Sequence, residues 1–189
     1  MSIRVEEGPQ NGPALVAERL RNLRGPIESK SLARGGGRVA APAPLPLYAI
    51  PLARLASEPA PEHFATRFGW RYIVEEGNEV SLVDLVIRSD GVLAPHAVAR
   101  GAPARRLIDA ALAAEAALSL QSDYEARVLD LTLVGMAALW MVGDQNSVVF
   151  ELYKQGEPRE LAEFLAEAKS HAMSKLAAAA ASPSPEDGG

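Results

Sequence analysis

The side chains best suited to proton transfer are three histidines, His63, His96 and His171, set far apart in a chain of 189 residues. His96 is the candidate general base. It stands in a proline-flanked stretch with Asp90 and Arg100 near in sequence. General-base catalysis needs a partner within hydrogen-bond reach, and no motif supplies one. The three histidines lack the spacing of zinc ligands. The chain has no cysteine, which removes thiol nucleophiles, disulfides and thiolate metal centres. Gly35-Gly36-Gly37 is the one glycine-rich run. A phosphate cradle needs a strand before it and a helix after it, whereas here a basic segment precedes and a proline-rich segment follows. Arg105-Arg106 opens a helix and could meet an anion, but cations disfavour the positive end of a helix, so two solvated arginines are the simpler reading. No catalytic residue, metal or cofactor is assigned.

Binding residues are easier to nominate. Trp70, Tyr72 and Trp140 could line a cavity for a small ligand, although aromatic residues on sheet faces are more often plain core. Val16, Leu20 and Leu23 recur at i, i+4 and i+7 with Arg19 and Arg24 beside them, giving a short amphipathic helix that a protein partner could receive. Residues 136–142 (MAALWMV) are apolar on both faces of an expected strand. Met136 and Trp140 on its second face therefore suggest a surface for a second copy of the chain.

Charge separates the chain into two parts. The net charge is −5. Residues 19–38 carry six basic groups against Glu28, so a basic arm joins an acidic body. Basic and aromatic residues do not interleave in the body, and specific nucleic-acid readout is not expected. The first 25 residues lack the apolar stretch of a secretory signal, and no apolar run approaches the roughly 20 residues of a membrane span. The expected location is the cytoplasm.

The expected organisation is a disordered tail over 1–12, the helix over 13–25, a flexible Gly/Pro linker over 26–44, one α+β domain over 45–176 and an Ala-rich, polar tail over 177–189. The arm contributes few apolar groups, so a chain starting at Leu45 should melt at nearly the temperature of the whole. Gly77-Asn78 between two alternating runs predicts a hairpin. Glu76 then faces Glu79, Trp70 faces Leu85, and Arg71 faces Asp84 as an exposed pair. Residues 92–103 read as a loop and Ala104 to about Leu120 as a helix with Leu107, Ala111, Ala114 and Leu118 inward. Glu125 to Val142 reads as one long strand bent at Gly135, with Leu129, Leu131, Leu133, Ala137, Leu139 and Met141 on one face. A polar turn at 143–146 returns it, and a last helix starts at Pro158.

The expected fold is thus α+β: a mostly antiparallel sheet of about five strands against two main helices. The leading functional reading is a non-enzymatic interaction or adaptor protein. A small-ligand binding domain with a cavity between sheet and helices comes second, and an enzyme using His96 third.

Overall fold

The computed structural model describes residues 3–23, 44–76, 79–118, 123–144, 146–154 and 156–181. Most of the expected linker, the Gly77-Asn78 turn, Arg24 and the end of the polar tail lie outside the described residues.

The chain folds as α+β, with nine strands in one mixed sheet and four α-helices among the described residues. The strands are β1 (Ile3–Arg4), β2 (Leu45–Ala49), β3 (Thr66–Glu76), β4 (Glu79–Ile87), β5 (Leu93–Arg100), β6 (Tyr124–Leu131), β7 (Met136–Gly143), β8 (Ser147–Glu151) and β9 (Arg159–Glu160). The helices are α1 (Gly12–Leu23), α2 (Leu52–Ser57), α3 (Ala102–Ala117) and α4 (Leu161–Ala181). The sheet order is β5-β4-β3-β2-β6-β7-β8-β9, and β1 adds to β6. Neighbours pair antiparallel except at β6, which runs parallel to both β1 and β2.

The β3–β4 hairpin has the register its alternation demands: Trp70 opposite Leu85, Arg71 opposite Asp84, Glu76 opposite Glu79. One face of this hairpin is apolar, and α1 covers it. Val16 and Leu20 are sealed against Trp70, Tyr72, Val74, Val83 and Leu85. Gly12 permits that approach, because a Cβ there would lie 1.8 Å from the Tyr72 hydroxyl. The expected tail is also engaged, with Ile3 and Arg4 pairing to Tyr124 and Glu125. Residues 3–23 therefore pack on the sheet, and removing them would bare a large apolar surface. A chain starting at Leu45 would lack this cover, which argues for a lower melting temperature and not an unchanged one. The reason is that five apolar positions of β3 and β4 need a cover, and a helix too short to persist alone in water needs a surface.

Farther along the same face, α2 and α4 cover β6, β7 and β8. Leu161, Phe164, Leu165, Ala168 and Ala172 of α4 pack on Leu129, Leu131, Met136, Ala138, Trp140 and Val149. On the opposite face α3 lies over Leu45, Leu82, Val128, Leu139 and Phe150. Its buried residues are Ala104, Leu107, Ala110 and Ala114, and Ala111 and Leu118 of the expected stripe pack partly buried beside them.

Two stretches depart from the sequence reading. Residues 93–100 form an edge strand where a loop was expected, paired to β4 from Ser81 to Ile87. The expected single strand over 125–142 is instead the hairpin β6–β7. A 3-10 turn at Thr132–Val134 reverses the chain, and Gly135 closes it with φ +73°, a left-handed conformation that glycine adopts without strain. The Asp130 carboxylate accepts the Thr132 N–H and supports the turn. The reversal reassigns faces. Leu129 and Leu131 lie with Met136, Ala138 and Trp140, and Ala137, Leu139 and Met141 lie with Asp130. Leu133 leaves the core altogether.

Candidate functional site

On the α3 face the helix covers only part of the sheet. Between the start of α3, α2 and the β6–β7 turn the structure leaves an open cleft of about 450 Å³. Its walls are mainly apolar: Ile50, Leu52 and Leu55 on one side, Leu131, Leu133 and Val134 on another, and small Ala97 and Ala99 of β5 opposite. The strand β2 ends at Ala49 before Pro51, so the floor is carried by the longer β3, β4 and β6.

That floor holds three charged side chains, each standing alone among apolar neighbours in its strand. Arg71 donates from Nε to Asp84 Oδ1 and from Nη2 to Asp84 Oδ2, both at 2.8 Å. This is the parallel fork that makes arginine–carboxylate pairs specific. From the same Nη2, Asp130 Oδ2 on β6 lies at 3.5 Å. The three side chains are 12%, 13% and 16% exposed, so the pair expected at the surface is mostly buried. Burial opposes the charge of Arg71, but the hydrogen bonds to Asp84 and the charges of Asp84 and Asp130 outweigh it, and its pKa is raised. Arg71 is a fixed cation and no proton carrier. Asp84 has both oxygens engaged. Asp130 is the least committed of the three, holding one amide and a long contact to a cation already forked onto another acid.

Two β-bulges bring further side chains to the same place. The register of β2 on β3 shifts between Leu47 and Tyr48, whose partners are Gly69 and Arg67, and leaves Phe68 unpaired. The register of β4 on β5 shifts between Asp84 and Leu85, whose partners are Ala97 and Pro95, and leaves His96 unpaired. Phe68 and His96 both line the cleft. Bulges of this kind commonly re-aim a side chain at a site. At the mouth, the Arg106 guanidinium lies 5.7 Å over the Tyr153 ring, and both residues line the cleft.

The candidates nominated from sequence divide accordingly. His96 lines the cleft with Asp84 and Asp130 but makes no hydrogen bond among the described residues, and Asp90 is elsewhere, accepting the Val92 N–H and paired with Arg88. Arg106 lines the cleft; Arg105 and Arg100 line a separate shallow groove with Glu79. Trp70 and Tyr72 lie under α1 and Trp140 under α4, all on the opposite face, so they are core and do not line this cavity. Their spacing marked apolar strand faces correctly but could not say which face is filled.

The same packing places the residues nominated for partner binding. Val16 and Leu20 face the chain's own sheet, and Met136 and Trp140 are covered by α4, because the hairpin reversal sets them beside Leu129 and Leu131. Leu23 is 46% exposed at the end of α1. Arg19 has its Nε buried without a partner among the described residues, and Arg24 lies outside them. His63 stands 3.8 Å from Glu62, and His171 reaches the Val134 carbonyl at 3.4 Å.

Sequence reasoning gave Phe68 and Asp130 no functional role. The signal available was the single charge inside each otherwise apolar strand: Arg71 in WRYIV, Asp84 in LVDLV and Asp130 in VLDLT. Among the described residues no group of three His, Cys, Asp or Glu could hold a metal ion. No described helix is long and apolar enough to cross a membrane. No protein-family model matches the chain, and neither the curated proteins nor the solved structures contain a match.

Proposed function

We propose that this protein binds a small amphipathic molecule in the cleft between β3, β4, β6 and the start of α3. The observation that carries the reading is the composition of the cleft: apolar walls around a charged floor, in an opening of about 450 Å³ that the described residues leave unfilled. Ligand sites combine apolar walls with a few fixed polar groups in this way. The groups of the floor are preorganised, since Arg71 is held by two hydrogen bonds and Asp130 by its turn. Such rigidity reduces the entropy lost on binding. With no cysteine in the chain, a reducing compartment such as the cytoplasm suits it.

The adaptor reading has less support. A helix docking through Val16 and Leu20 has first to leave the surface it covers. Catalysis by His96 lacks a hydrogen-bonded partner for the imidazole among the described residues.

Ala97 is a half-buried wall residue on an edge strand, where a larger side chain projects into the opening. A fragment library screened by NMR against the whole protein and against Ala97→Trp tests the proposal. Fragments that shift resonances of Phe68, His96 and Leu133 in the wild type should lose that effect in the variant. Fragments binding the folded variant equally well, or binding nowhere near these residues, overturn it.

A further inference from the structure

The charge balance of the floor narrows the class of ligand. Two carboxylates share one guanidinium, so the buried group carries a net negative charge. The guanidinium is not divided evenly. Its two short bonds both go to Asp84, while Asp130 has only the 3.5 Å contact, beyond the usual 2.7–2.9 Å of a charge-assisted hydrogen bond. The second cation of the cleft, Arg106, lies over Tyr153 at the mouth and makes no ion pair among the described residues. Asp130 Oδ1 accepts the Thr132 N–H, which leaves Oδ2 with spare acceptor capacity. A mostly buried carboxylate in this condition is stabilised by a cationic donor, and strongly disfavours a second anion.

Resting on the ligand-binding reading above, we propose that the cleft selects a protonated amine with an apolar body. The ammonium group bonds Asp130 Oδ2. The apolar body lies along Leu55, Leu131, Val134 and Phe68, which flank the floor. An ammonium supplies three donors and needs no planar partner, so it fits a single free carboxylate oxygen better than a second guanidinium fork would. A carboxylate ligand placed on the same floor meets Asp130 and Asp84 and is rejected.

The test uses the full chain and three molecules with one carbon skeleton: hexylamine, hexanol and hexanoate. Binding is followed at neutral pH by NMR titration, reading Phe68, His96 and Leu133. Hexylamine should bind tightest and hexanoate weakest. In Asp130→Asn, which keeps the acceptor for the Thr132 N–H, hexylamine affinity should fall by about tenfold or more, while hexanol changes by less than about threefold. The ranking in the wild type stands as evidence by itself if the variant fails to fold. Hexanol or hexanoate binding as tightly as hexylamine in the cleft overturns the amine proposal and leaves the ligand site intact. Failure of all three to perturb the cleft overturns both.

Discussion

Arg71 and Trp70 are adjacent in β3 and meet opposite fates. Trp70 points to the face that α1 closes, among Tyr72, Val74, Val83 and Leu85. Arg71 points to the face that α3 covers incompletely and stands in an open cleft with Asp84 and Asp130. The two faces are built from the same strands with the same alternation. The difference is what the chain supplies to cover each one. Where a helix with a matching stripe is available, the sheet positions beneath it are apolar apart from Ser81. Where the cover stops short, the strands place charges that pair with one another. A closed face spends its residues on stability, and an open face holds groups that can meet another molecule.

Breaking the closed face should have the largest effect. Leu20→Ala removes a sealed side chain from the α1 interface. Core truncations of this kind cost about 2–5 kcal/mol, which chemical denaturation of the two proteins measures directly. The cleft should survive in whatever fraction remains folded, because Leu20 touches only the other face.

The next effect is at the floor. Arg71→Met leaves Asp84 and Asp130 without their shared cation. The expected cost is about 1–3 kcal/mol at neutral pH, below that of a sealed ion pair because the cleft admits water. Chemical denaturation of the two proteins at neutral pH measures it. A variant as stable as the wild type at neutral pH would mean that Arg71 contributes nothing to the floor.

How much of this contrast the sequence carried depends on the distance over which each feature is determined. The β3–β4 hairpin is local, and alternation alone sets its register, including Arg71 against Asp84. The apolar strip of α1 was equally plain, but its target was not, because the covering of Trp70 by Val16 is a long-range choice. The turn at Gly135 was misread as a bend. A glycine within an apolar run signals either a bulge or a reversal, and the Asp130 hydrogen bond that favours reversal needs the folded turn to be visible. That one error placed Leu133 in the core and Asp130 on a plain wet face, and so hid the floor of the cleft. Phe68 and His96 reach the cleft through bulges, which alternation cannot reveal.

The rim of the open face offers a smaller perturbation. A Cβ on Gly135 meets nothing within 4 Å, so Gly135→Ala tests backbone conformation alone. Holding alanine at φ +73° should cost about 1–2 kcal/mol, with chemical-shift changes confined to Thr132–Met136 and the cleft. Shifts at Trp70 or Val16 would mean that the two faces are not independent.

The smallest expected effect lies at the far end of the sheet. Glu167 of α4 is bridged to Lys154 and to Arg159, which also holds Glu151, and these bonds keep its carboxyl at about pH 2. A lowered pKa means that the native state binds the proton less readily than the unfolded chain. The stabilisation is therefore complete above about pH 4.5 and is lost as pH falls towards 2. The side chains are partly exposed, so its size should not exceed about 1 kcal/mol. Glu167→Gln should flatten the stability profile across that range and leave cleft binding unchanged.

The most direct test of the contrast is a crystal structure of the full chain soaked in a mixture of small amphipathic amines and alcohols. An open site on one face and a filled core on the other predict a bound molecule against Asp130 and Phe68, with none between α1 and the sheet. A cleft occupied by another part of the chain, or bound molecules under α1 with the cleft empty, would contradict it.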